Sequence, residues 1–291
     1  MLLSNLGSLL TLISAASAAQ LTQVQGYGAG RAQMWIYVPD KVVPNPPLVV
    51  AIHSCQSSAQ SYFTNSKIPW KQGSDAKGYI TLWPSSPNSG TCWDVSSKSS
   101  LTHNGGGDSN AIANMITYAI QKYNVNATRV YVTGGSSGAM MSNVLAATYP
   151  SLMSAVSLYS GVPANCFVSS SNQVAAWNND CSGGRSQKTP AQWAQDVFNM
   201  YPGYTGARPK MQIWHGSADG TLSPNNYQET IDQWTGVFNV SATVPTREVK
   251  DTPERGYTTR DFGEMVQGIW AQGVGHSVPS HLSVSEAWFG L

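Results

Sequence analysis

The chain has 291 residues, enough for one large α/β domain or two small ones and for a sizeable buried core. Sixteen Lys and Arg against fifteen Asp and Glu leave a net charge of +1, and 11% of residues are charged, where soluble chains average roughly 25%. Such a balance has no basic footprint for nucleic acid or an acidic membrane, so neither is expected as a partner.

The first stretch, "MLLSNLGSLLTLISAASAAQ", has an apolar run through Leu12 and Ile13, then small residues from Ser14 to Ala19 with cleavage sites of the A-x-A type. It reads as a secretory leader over residues 1–19, although no Lys or Arg precedes Arg31 and the α-amino group is its only positive charge. No later apolar run reaches the ~18 residues that span a bilayer. Residues 20–291 show no repeat, linker or composition shift, and are expected to form a single catalytic domain without an appended binding module.

Within that span, β-rich runs occur at 33–38, 48–53, 79–83, 129–133, 155–159, 210–214 and 265–271. Helical spacing predicts helices over 68–77, 109–123, 137–149, 190–200 and 227–238. Strands alternating with helices predict an α/β fold, with a mostly parallel sheet covered on both faces. The unbroken "LVVAI" agrees, since a strand buried on both sides needs no polar alternation. In such sheets, chemistry gathers at the carboxyl ends of the strands.

Cys55 follows the run "PLVVAIH" and Cys92 follows "YITLWP", so neighbouring strands would bring both to one sheet edge. Cys166 and Cys181 enclose a Ser/Asn-rich loop. Four cysteines in an exported chain predict two disulfides, and of the three pairings Cys55–Cys92 with Cys166–Cys181 is the one expected. The sequons "NAT" at Asn126 and "NVS" at Asn239 permit N-glycans in a eukaryotic host. "NGGGDSN", 104–110, reads as a helix-start turn with Asp108 at or near the N-cap; a phosphate cradle would want a lysine.

"YVTGGSSGAMM", 131–141, fits G-x-S-x-G in one frame, Gly134, Ser136 and Gly138, because Ala139 stands where the other frame needs glycine. A strand before it and a helix after it supply the sharp turn that lifts a serine above the sheet edge, with a helix N-terminus behind it to favour negative charge. Ser136 is the expected nucleophile. Its hydroxyl needs a base, and the base needs an orienting group. The chain order serine, acid, histidine removes His53 and His103. In "KMQIWHGSADG", Asp219 follows an apolar strand and is the expected acid, while His215 shapes the loop that presents it. His276 sits in the glycine-flanked loop "WAQGVGHSVPS" and is preferred as base over His281, which opens a final helix. The oxyanion would take the backbone N–H of Ser137 and that of Cys55 in the loop after "PLVVAIH". No metal is expected, because no two histidines have ligand spacing on a helix and the cysteines are expected in bridges.

With these residues placed, the chain resembles the secreted fungal acetyl xylan esterases of carbohydrate esterase family 1, relatives of feruloyl esterases and polyhydroxybutyrate depolymerases. "RVYVTGGSSGAMMSNVLAATYP", "LYSGVPANC", "RPKMQIWHGSADGTLSPNNYQETIDQW" and "GVGHSVP" run in the family's order. The resemblance implies an α/β-hydrolase fold, with Ser136, Asp219 and His276 as the triad and Cys55 and Ser137 lending oxyanion N–H groups. It implies a secreted enzyme, expected as a monomer and without cofactor, that deacetylates acetylated xylan or xylo-oligosaccharides through an acetyl-enzyme on Ser136. The family's C-W-D motif matches Cys92, Trp93 and Asp94, which makes Trp93 a substrate-side aromatic. Trp177, inside the loop between Cys166 and Cys181, is either a second sugar-stacking aromatic or a residue folded inward. A feruloyl esterase, seating an aromatic acyl group in place of a methyl, is the alternative. An inactive carbohydrate-binding relative is opposed by the presence of all three triad residues in matching loops.

Overall fold

Strands with no polar face must be covered from both sides, and the centre of the sheet is made of such strands. The computed structural model describes residues 19–291, so the expected leader, Ala19 apart, lies outside the described residues. The strands are β1 (Thr22–Val24), β2 (Gln33–Tyr37), β3 (Leu48–Ile52), β4 (Ile80–Ser85), β5 (Val130–Gly135), β6 (Ala155–Tyr159), β7 (Lys210–Gly216), β8 (Arg247–Lys250), β9 (Tyr257–Phe262) and β10 (Val266–Ala271). They form one sheet in the order β1-β2-β4-β3-β5-β6-β7-β10-β9-β8. From β4 to β10 all neighbours are parallel; β2 and β1 add antiparallel at one side, β9 and β8 at the other. Every residue of β3, β4 and β6 is buried.

The helices are α1 (Ala59–Thr64), α2 (Trp70–Lys77), α3 (Asp108–Lys122), α4 (Ser137–Thr148), α5 (Asn179–Ser182), α6 (Pro190–Met200), α7 (Asn225–Phe238) and α8 (Leu282–Phe289). The period of two in β3 divides them between two cores. Leu48, Val50 and Ile52 pack with residues of α3, α4, α6 and α7, including Ile112, Leu145, Trp193 and Trp234. Val49 and Ala51 pack with Tyr62, Trp70 and Phe289 from α1, α2 and α8. The sheet is thus covered on both faces, as its sequence predicts.

All twelve residues of α4 are buried, which its small and apolar sequence "SGAMMSNVLAAT" permits. Its one amide side chain, Asn143, is satisfied inside: Nδ2 donates to the Val162 carbonyl at 2.8 Å and Oδ1 accepts the Trp234 indole N–H at 2.7 Å. Asp108 is the first residue of α3, one place after the Gly107 N-cap. Its carboxylate accepts from Asn88 Nδ2 at 2.7 Å and from the Asp94 N–H at 2.9 Å, so it joins the loop after β4 to the start of α3.

Candidate active site

β5 ends at Gly135 and α4 begins at Ser137, leaving Ser136 alone at the turn with φ 53° and ψ −122°. Few L-residues adopt this backbone, and it is held here from both sides. The Ser136 N–H donates to the Tyr159 carbonyl at 2.9 Å, and its carbonyl accepts the Met140 N–H at 3.0 Å. The flanking glycines are needed because backbones meet. A Cβ on Gly138 would lie 2.0 Å from the Ile52 carbonyl oxygen, and one on Gly134 would lie 2.5 Å from the Gly138 carbonyl.

The loops after β7 and β10 bring Asp219 and His276 to this turn. His276 Nε2 is 2.8 Å from Ser136 Oγ, and its Nδ1 is 2.8 Å from Asp219 Oδ2. The Asp219 carboxylate is fully covered. Its Oδ1 accepts the N–H groups of Thr221 at 2.9 Å and Leu222 at 3.0 Å. His215 Nε2 lies 3.1 Å from Asp219 Oδ2 and 3.0 Å from the Leu222 carbonyl. A carbonyl only accepts, so His215 Nε2 carries the hydrogen and donates it to both. Burial pushes the Asp219 carboxyl up, but the hydrogen bonds from His215, His276, Leu222 and Thr221 outweigh it and hold the group well below the usual carboxylate range. With Asp219 ionised, His276 Nδ1 donates to it and Nε2 is left to accept the Ser136 hydroxyl. The arrangement can draw a proton from Ser136 and return it to a leaving group.

The other histidines are engaged elsewhere. His53 is buried, donates from Nδ1 to the Ser54 carbonyl at 2.7 Å and accepts the Ser86 N–H on Nε2 at 3.0 Å; burial lowers its pKa. His103 lies 2.7 Å from the Thr148 carbonyl and stacks on Tyr201. His281 caps α8 and stacks on Trp214.

Ser137 is the first helical residue of α4, so its N–H has no acceptor within the helix. Cys55 follows the end of β3 and is bridged to Cys92, the Cα atoms 4.2 Å apart; Cys166 is bridged to Cys181 at 5.7 Å. Both are the expected pairs. The Gln56 N–H donates to the Gly90 carbonyl at 2.9 Å and closes the Cys55 loop further. The sequence did not reveal a second task for Ser137, whose Oγ accepts the Trp93 N–H at 2.7 Å.

Trp93 departs from expectation. It is 1% exposed, its indole N–H donates to the His53 carbonyl at 2.8 Å, and its ring lies against His53. The ring offers no face to a substrate in solution. Both of its N–H donors find acceptors, at Ser137 Oγ and the His53 carbonyl, so it supports the start of α4 and the loop after β3 from within. Asp94, 2% exposed, accepts the N–H groups of Ser96, Ser97 and Ala175, and so ties this segment to the loop that carries Trp177. Trp177 is not folded inward: it is 56% exposed and rests edge-on against Phe167.

Compared with known proteins, the model of the Esterase PHB depolymerase family matches residues 33–255. The chain belongs to this esterase family. The esterase is 54% identical over 277 residues to acetylxylan esterase A of Talaromyces purpureogenus, a match covering 94% of this chain and 72% of that one. Among solved structures, the acetyl xylan esterase from Aspergillus awamori superimposes with a TM-score of 0.91 at 50% identity, covering 93% of this chain and 99% of that one. A feruloyl esterase module from Clostridium thermocellum matches with a TM-score of 0.53 at 12% identity, covering 89% of this chain and 82% of that one, and shares the fold alone. The central parallel sheet with helices on both faces is that of an α/β-hydrolase.

Proposed function

We propose that the esterase removes acetyl groups from acetylated xylan and xylo-oligosaccharides, with Ser136 as nucleophile, His276 as base and Asp219 as its orienting group. The reading rests on the continuous Asp219–His276–Ser136 run, 2.8 Å at each step, in a chain that matches an acetyl xylan esterase over 93% of its length. Ser136 Oγ attacks the acetyl carbonyl as His276 Nε2 takes its proton. The N–H groups of Ser137 and Cys55 hold the oxyanion. The bond to the sugar oxygen then breaks, and His276 returns the proton to the departing hydroxyl. Water, activated by His276, attacks the acetyl-enzyme and releases acetate. Trp177 offers its exposed ring to a sugar of the substrate. No step calls for a cofactor.

The leader-like residues 1–19 and the two disulfides support secretion, since such bridges persist in oxidising compartments. Among the described residues, no helix is long and apolar enough to cross a membrane. Residues 20–291 act as one catalytic unit, in keeping with a single sheet that carries helices on both faces.

Ser136→Ala should lower turnover of acetylated xylan and of 4-nitrophenyl acetate by about 10⁴- to 10⁶-fold with an unchanged circular dichroism spectrum. Retained activity would sink the assignment of the nucleophile. In parallel, acetate release from acetylated xylan should outpace hydrolysis of methyl ferulate. The reverse order would replace the acetyl reading with the feruloyl one.

A further inference from the structure

At the amino edge of the sheet, opposite Ser136, the segments leading into β3, β4 and β5 surround an apolar hollow of about 350 Å³. Its walls include Val42, Val43, Pro44, Pro46, Ile80 and Tyr123. Val42 is 44% and Val43 37% exposed, an unusual pairing of adjacent β-branched side chains left open to water. Asn124 closes one side of the rim, its Nδ2 donating to Asn45 Oδ1 at 2.9 Å. Two residues further on is Asn126, first residue of the sequon "NAT", whose N–H donates to the carbonyl of Pro46 in the wall at 3.0 Å. The Asn126 Oδ1 accepts both the N–H and the hydroxyl of Thr128, at 3.0 and 2.8 Å, while its Nδ2 makes no hydrogen bond among the described residues. The backbone of Asn126 is thus tied to the wall through Pro46, and its side chain is held to Thr128 by its oxygen, with its nitrogen free.

We propose that Asn126 carries an N-linked glycan whose first N-acetylglucosamine covers this hollow. The C–H face and N-acetyl methyl of that sugar supply apolar surface, and its hydroxyls stay in water. Attachment joins the Asn126 carboxamide nitrogen to C1 of a polyprenyl-pyrophosphate-linked oligosaccharide. The C1–O bond breaks with its electron pair on the pyrophosphate, and the amide gives up one proton. The other sequon differs in its setting. Asn239 is the C-cap of α7 at φ 55°, and its N–H is bonded within that helix to Gly236, whereas the Asn126 N–H is bonded to the wall residue Pro46. A glycan there has no such surface to cover.

The test uses the full chain secreted from yeast with Asn239→Gly, which suits the left-handed cap and removes the second sequon. Mass spectrometry of the intact chain and of its peptides should find a glycan on Asn126. Trimming with an endoglycosidase that leaves one N-acetylglucosamine should leave the melting temperature unchanged. The glycan-free Asn126→Asp chain from the same host should melt about 2–4 °C lower. The same substitution made in unglycosylated protein from a bacterial periplasm measures the effect of Asp itself, which is subtracted. With Val42→Ser and Val43→Ser added, the glycan-dependent difference should vanish. An unoccupied Asn126 in the secreted chain overturns the proposal, as does a corrected difference of zero. A fall already present after trimming also overturns it, because outer sugars would then carry the effect.

Discussion

Four donors converge on the Asp219 carboxylate: the N–H groups of Thr221 and Leu222 on one oxygen, His215 and His276 on the other. His215 therefore restrains the oxygen that orients the proposed base, from a position four residues earlier in the chain. His215→Phe removes that donor and leaves the Leu222 carbonyl without it. The turnover number on 4-nitrophenyl acetate should fall about 10- to 100-fold, the scale of a small misplacement in an active site, with KM little changed. A glutamine places an amide N–H near the position of the imidazole Nε2, so His215→Gln should recover part of the loss. A phenylalanine variant with full turnover, or a glutamine variant no better than phenylalanine, would refute this role. The sequence indicated that His215 shapes the loop that presents Asp219 but did not reveal its hydrogen bond from the end of β7, because spacing along a strand does not say which way a ring turns. Trp93 went wrong for the same reason. The motif Cys92-Trp93-Asp94 fixes a position beside the turn, whereas the inward course of the ring depends on acceptors contributed by His53 and Ser137, 40 and 44 residues away along the chain.

Secondary-structure elements differed in how plainly the sequence announced them. The buried parallel strands were legible because each is rich in apolar and β-branched or aromatic residues, although only β3 is an unbroken apolar run. Of the antiparallel additions, β2 was legible as the run at 33–38, but β1, β8 and β9 were not: β1 has three residues, and β8, "REVK", has no buried position. Helix α1 has six residues and a capping box made from two serines, Ser58 and Ser61, instead of the usual acidic or amide partner. Helix α5 has four residues, held by the Asn178 side chain at its start and by the Cys166–Cys181 bridge. The turn between β5 and α4 was legible because glycine spacing there records a backbone contact. Within it, the glycines should respond unequally. Gly138→Ala would set a Cβ 2.0 Å from the Ile52 carbonyl oxygen, so α4 must leave β3, and a loss of several °C in melting temperature or of soluble protein is expected. Gly135→Ala meets nothing closer than the Tyr62 hydroxyl at 3.5 Å and should shift the melting temperature by about 1 °C or less. Equal effects in thermal melts of the two variants would contradict this account of the motif.

Over the whole molecule, two buried carboxylates pull the acid stability in opposite directions. Asp219 is held below its unfolded value of 3.8 by its hydrogen bonds, so the folded chain binds fewer protons there than the unfolded one. Its contribution is complete above about pH 5 and is lost as the pH falls through 3.8 toward the folded value. Asp108 is displaced upward, chiefly by burial, with the nearby Asp94 charge adding to it and Asn88, the Asp94 N–H and Arg31 opposing it. Its ionised form is therefore a cost in the folded state near neutral pH, relieved as the pH falls through its raised value. Both of its hydrogen bonds are donated to one oxygen by Asn88 and Asp94, and an asparagine oxygen can accept both. Asp108→Asn should thus raise the melting temperature at pH 7, and its advantage over the parent should shrink as the pH drops toward 4. Asp219→Asn, which turns an amide toward the N–H groups of His215 or His276, should melt lower at pH 7 and vary less with pH below about 5. Thermal melts of the three chains from pH 3 to pH 7 check both signs. An Asp108→Asn advantage that grows on acidification would mean that Asp108 is stabilised as a carboxylate after all, and that its contacts with Asn88, Asp94 and Arg31 outweigh its burial.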